Sequence, residues 1–168
     1  MSNKQTAAML DKKLDAKTVH TMLVCGIVMV IAVLLHDGDH IRQALNWGYH
    51  ISLAIWALNL TVYVFPVVTI FLAKSSRMSA TLVGAIGGIF TSASFVILHL
   101  CGSATGLWGV WNFSYFELIK GVTYQGNFYQ GVDWLSWVLL FHVPALCLPC
   151  SYVGFKQYFR LKKEAKGA

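Results

Sequence analysis

The stretch Val19-His20-Thr21-Met22-Leu23-Val24-Cys25-Gly26-Ile27-Val28-Met29-Val30-Ile31-Ala32-Val33-Leu34-Leu35 runs directly into His36-Asp37-Gly38-Asp39-His40-Ile41-Arg42. Its first half is a membrane span of about 19–35. That is on the short side of the roughly 20 residues a bilayer helix needs, so its ends are expected to reach the headgroups. Its second half gathers two imidazoles and two carboxylates where the apolar run stops. On a helix, residues four apart lie one turn apart, so His36 and His40 present their rings on the same side. Imidazole pairs at that spacing, with Asp to bind or to orient a ring, are metal-site chemistry. The plainer alternative is a helix that has reached water, with solvated polar residues.

Working outward, the whole chain repeats the apolar pattern. It has 168 residues, of which 57% are hydrophobic and 12% charged, and its mean hydropathy is +0.59. A soluble domain carries about 25% charged residues, so composition alone points to a membrane protein. Three further spans follow at about 49–73, 78–104 and 134–155, giving one integral membrane domain over 1–168. The expected fold class is all-α, a four-helix transmembrane bundle in contact with the lipid bilayer. No cleavable signal peptide is expected, because the first apolar run ends in His-Asp-Gly-Asp.

The net charge of +6 does not indicate nucleic acid, because the basic residues flank apolar runs and form no groove. Lys4, Lys12, Lys13, Lys17, Lys74, Arg77, Lys156, Arg160, Lys162, Lys163 and Lys166 fall on one side of a four-span topology. Only Arg42 and Lys120 fall on the other. The positive-inside rule then puts both termini in the cytoplasm, with the protein integral to the cell membrane. Trp47, Trp108, Trp111, Trp134 and Trp137 mark the opposite, outer interface. The tail at 1–18 fits a membrane-surface amphipathic helix or a frayed tail, and the basic, aromatic tail at 156–168 fits a membrane-surface helix.

The third span carries small residues every fourth position, Ala80, Gly84, Gly88 and Ser92, which lets helices approach closely. His99 lies eleven residues after Gly88 and returns to nearly the same face, toward the bundle. Asn59, in the second span, is expected to hydrogen-bond another helix. The aromatic segment from Thr105 to Asp133 is long for a loop, and an interfacial helix is expected near Val110–Lys120. Asp133 is placed to cap the fourth span. Pro66, Pro144 and Pro149 are expected to kink their helices.

Five of the six histidines fall in the outer half of the span pattern. A polar or ionisable residue inside a span is a site hypothesis, set against a packed histidine with one hydrogen bond. The candidate metal ligands are His36, His40, His99 and His142, with Asp37 and Asp39 as ligands or orienting groups. This donor set suits zinc, copper or nickel. His99 and His142, at roughly matching depth, are the pair that would hold haem b. Cys147-Leu148-Pro149-Cys150 has C-x-x-C spacing, a possible thiol site, although buried cysteine is more often packing. A soft site including Cys25 is the weaker extension. No nucleophile–base pair or phosphate loop is present, so the chain leans away from an enzyme of hydrolysis or group transfer.

Two resemblances accompany these residues. Asp37-Gly38-Asp39-His40-Ile41 resembles the Asp-Ala-Asp-His-Ile core of nickel/cobalt transporters, which implies an affinity for metal. The further histidine of that family would fall at Leu34, and His36 stands nearby. More broadly the chain resembles small four-span bacterial membrane proteins of unassigned function. The shared features are His36-Asp37-Gly38-Asp39-His40 after the first span, His99 in the third, an aromatic loop, and Gly131-Val132-Asp133-Trp134-Leu135-Ser136-Trp137 opening the fourth. That resemblance implies that these positions belong together. Three functions are therefore expected in order: a metal or haem protein for metal handling or redox work, an accessory subunit docked on other membrane subunits or its own copies, and a small transporter.

Overall fold

The computed structural model describes residues 13–47, 50–101, 122–124, 127–129 and 132–167. Its first helix, α1, spans Ala16–Trp47. A second rod consists of α2 (Leu53–Leu60), a 3-10 turn (Thr61–Tyr63) and α3 (Val64–Lys74). Then come α4 (Ser79–Val96), which widens into a π-helical turn at Ile97–Cys101, and α5 (Trp134–Gly167). Between α4 and α5 lie two three-residue strands, β1 (Val122–Tyr124) and β2 (Asn127–Tyr129), paired antiparallel with Val122 opposite Tyr129. The architecture is helical with this one small hairpin added, and four of its helical rods are long and apolar enough to cross a membrane.

The rods pack in a ring: α1 against α3 and α5, α3 against α4, and α4 against α5. Polarity is arranged as in a membrane helix bundle. Val24, Ile27, Ile31, Leu34 and Leu35 of α1 face outward, whereas His36, Asp37, Asp39 and Gln43 are buried. Between helices in lipid there is little hydrophobic drive, so close packing and hydrogen bonds hold the interior.

The α4–α5 contact is the most extensive, and small residues make it possible. A Cβ on Gly88 would lie 2.4 Å from the Cys147 carbonyl oxygen, and one on Gly154 2.7 Å from that of Thr81. Gly84 meets Met22 and Thr69, and Ser92 is buried with its hydroxyl donated to the Gly88 carbonyl at 2.7 Å. The ladder from Ala80 to Ser92 is thus packed within the chain.

Helix extents differ from the hydropathy reading in two places. The first helix does not stop at Leu35 but continues to Trp47, because the polar residues after Leu35 recur at 36, 39, 40 and 43 and turn inward. The helix of the fourth span runs unbroken through Pro144 and Pro149 to Gly167, so the expected surface helix after 155 is its direct continuation. Pro66, by contrast, cannot donate to the Val62 carbonyl, and the rod tightens to a 3-10 turn over Thr61–Tyr63.

The start of α1, the Arg160 turn of α5 and the α3–α4 turn share one end of the bundle. Arg160 bridges Asp15 at 3.2 Å and donates to Thr18 at 2.8 Å, and Leu14 N–H donates to Ser76 O at 2.7 Å. The turn itself is a Schellman closure. Arg77 N–H reaches Leu72 O, Ser76 N–H reaches Ala73 O, and Ser76 takes the left-handed conformation at φ 53°. The segment expected to form an interfacial helix at 110–120, the residues Trp108, Trp111 and Lys120, and most of 1–18 lie outside the described residues.

Candidate metal centre

At the opposite end of the bundle, α1 and α4 bring three imidazoles together. His36 Nε2 lies 3.0 Å from His40 Nε2 and 3.1 Å from His99 Nε2, and the His99–His40 edge closes the triangle at 3.1 Å. His36 and His40 come from successive turns of α1, as their spacing requires. His99 arrives from the π-helical turn, a widened turn of the kind found at functional positions. Phe95 wedges the cluster, edge-on to His36 at 4.6 Å and stacked on His99 at 5.7 Å between ring centres.

The other ring nitrogens settle the protonation. His36 Nδ1 lies 3.0 Å from Leu139 O of α5, and His99 Nδ1 lies 2.9 Å from Phe95 O. A carbonyl oxygen can only accept, so both Nδ1 atoms carry protons, and in the neutral rings both Nε2 atoms then present lone pairs. A neutral His40 has at most one Nε2–H to offer, which cannot bond well to both. At least one pair of lone pairs therefore faces across the triangle, an arrangement that a cation between them relieves. Anchoring of the far nitrogen by a main-chain carbonyl is also how metal-binding histidines are held. A metal bound here would be held by the Nε2 atoms of His36, His40 and His99.

The remaining predicted ligands are not in this group. The three histidines offer atoms within 4.8 Å of one another, and this set contains neither carboxylate nor His142. Asp37, next to His36, turns to a different face of α1. Its Oδ2 accepts from Asn59 Nδ2 at 2.8 Å and from the Tyr63 hydroxyl, while Oδ1 is buried without a partner among the described residues. Asp39 accepts from Arg42 at 2.8 Å and from Gln43 at 2.7 Å. His142 donates Nδ1–H to Leu139 O, the carbonyl that also serves His36, and its Nε2 is buried without a described partner. His142 thus borders the site through a shared acceptor and stands outside the nitrogen triangle.

Around the triangle runs a polar frame. Arg42 spans Asp39 and Asp133, reaching the latter with two nitrogens at 2.7 and 2.9 Å, and also donates to Ser136 at 3.0 Å. Gln43 donates to Ser136 Oγ at 2.9 Å. Asp133 caps α5 through Ser136 N–H at 3.0 Å. The Arg42 guanidinium beside it holds the Asp133 carboxyl at about 2, with the Ser136 hydrogen bonds adding to the effect. The frame fixes the rotation of α1 against α5, and with it the position of Leu139 O. Sequence reasoning placed Asp133 but missed Gln43, Ser136 and Tyr63. Gln43, one turn after Asp39, is the signal that the helix continues.

Three cysteines form a separate layer. Cys25 of α1 faces Cys150 of α5, and Cys147 is buried beside the Gly88 contact. Comparison of the chain with protein-family models, with curated proteins and with solved structures gives no match.

Proposed function

We propose that this is a membrane protein binding one transition-metal ion at His36, His40 and His99, with zinc, copper or nickel as the class of ion. The observation that carries the reading is the Nε2 triangle with two lone pairs enforced by Leu139 O and Phe95 O. Three neutral imidazoles suit these borderline metals, and an open fourth position suits exchange of the ion or of a small ligand. On the distribution of basic residues, both termini are cytoplasmic and the histidine end faces outward. The function that follows is metal handling or a metal-dependent redox role at the outer face.

Haem is the less favoured cofactor. His99 is turned to His36 and His40, with no gap for a porphyrin on its Nε2 side. The accessory-subunit reading rests on the small-residue ladder and on the abundance of outer aromatics, and of these the ladder is occupied by contacts within the chain. The test is elemental analysis of protein purified in mild detergent without chelator. One equivalent of metal is expected, lost in His36→Ala and His99→Ala and retained in His142→Ala and Cys147→Ser/Cys150→Ser. Metal-free wild type that also fails to take up zinc, copper or nickel would refute the reading.

A further inference from the structure

An apolar cavity of 140 Å³ opens beside the triangle, between α2 and α4, and His40 and His99 form part of its wall. Its lining combines the aromatic rings of Trp56, Phe90 and Phe95 with a few polar side chains, among them Asn59 and the two histidines. Leu58 and Phe90 also stand 42% and 39% exposed on the outward faces of their helices, so the cavity's mouth opens sideways, where lipid surrounds the bundle. A ligand entering there comes from the hydrocarbon phase and not from water.

Size narrows the class. A cavity of about 150 Å³ lined by apolar side chains holds one benzene ring. The space here is comparable, enough for one six-membered ring and too small for a porphyrin. Aromatic walls favour a flat ring in stacked or edge contact. The imidazole and amide groups in an otherwise apolar lining favour a ring carrying a hydroxyl.

We propose that this cleft is a lateral binding site for a single-ring phenol or hydroquinone drawn from the bilayer. The hydroxyl points between Asn59 and the metal's open position, and the ring lies among Trp56, Phe90 and Phe95. This inference rests on the metal reading above. Asn59 is a positioning residue, holding the hydroxyl while its amide is also tied to Asp37.

The experiment uses full-length protein in detergent, reconstituted with cobalt(II), whose visible band reports the ligands on the ion. Phenol is the probe and benzene the control. Phenol is expected to shift the band saturably at one molecule per protein, whereas benzene leaves it unchanged. Ser94→Trp, which fills the cleft from α4, and Leu58→Trp, which blocks its mouth from an exposed position, are expected to weaken phenol binding by about tenfold or more. Both are expected to keep the cobalt band, which also shows that they fold. A cobalt band that phenol does not shift, or that shifts equally in both variants, overturns the cleft site alone. Absence of any cobalt band in wild type overturns the metal reading beneath it.

Discussion

Asp37 shows how one side chain can belong to a motif in sequence and leave it in space. Neighbouring residues on a helix point about 100° apart, so a helix that aims His36 and His40 at His99 turns Asp37 toward the second rod. There it meets Asn59 and Tyr63, both on the side of the 3-10 turn that faces α1. Removing either donor strands a buried carboxylate, which costs about 1–3 kcal/mol. Tyr63→Phe and Asn59→Ala are therefore each expected to lower the unfolding midpoint in detergent while leaving metal stoichiometry intact. Loss of metal in both would instead make Asp37 part of the centre. What was legible at this scale was the His36–His40 pair, since a four-residue spacing fixes a shared face. Tyr63 was not, because nothing in the sequence tells the rotation of one helix against another.

At the scale of elements, two backbone features carry most of the geometry. The α4–α5 contact depends on Gly88, where any side chain meets the Cys147 carbonyl. Backbone cannot yield as a flexible side chain can, so Gly88→Ala is expected to destabilise by about 1–3 kcal/mol, read as a lower midpoint of thermal unfolding. The α3–α4 turn depends on Ser76 in a left-handed conformation that costs an L-residue about 1–2 kcal/mol. Ser76→Gly removes that cost, less the extra freedom glycine gains when unfolded, and is expected to raise the midpoint by a few degrees. An unchanged or lower midpoint would show that the serine side chain contributes more than the strain removes. The existence of four spans was readable from hydropathy, because lipid demands long apolar helices. The ends were not. Hydropathy falls at His36 and after Phe155 for different reasons, a buried polar face in one case and a basic helical extension in the other, and a running average cannot separate them.

For the whole molecule, ion pairs hold both ends of the bundle. Asp133 lies at about 2, below its ordinary 3.8, because of Arg42, and Asp15 lies at about 2 because of the Thr18 hydrogen bonds and Arg160. Carboxyls depressed in the folded state contribute their full stability above the ordinary value and lose it as pH falls from 3.8 through 2. Both pairs are half-exposed, so the effect is modest. The contribution of these two carboxyls to the unfolding midpoint is expected to be flat near neutrality and to drop below about pH 4. In Asp133→Asn part of that drop is expected to be missing. An acid dependence identical to wild type would place the sensitivity elsewhere. On the proposed function, bound metal would add a larger contribution. At one hundred times its dissociation constant a ligand stabilises by about 2.7 kcal/mol. A chelator is therefore expected to lower the midpoint by several degrees in wild type and not at all in His99→Ala.

The frame around the histidines also sets a schedule for synthesis. His36 must wait for His99, 63 residues later, and Arg42 for Asp133, 91 residues later. At a ribosomal pace of about 5–20 residues per second, that is an interval of roughly 3–20 s. During it the first helix, already made, has Asp39 paired with Arg42 and Gln43 within itself, but it lacks the partners that later helices supply to His36, Asp37 and Arg42. Such a helix is a poor candidate for early release into lipid, where each ionisable group is costly. Its residence in the insertion machinery is expected to last until the fourth helix emerges, and crosslinks from residue 38 to that machinery, followed on stalled chains of increasing length, would time its departure.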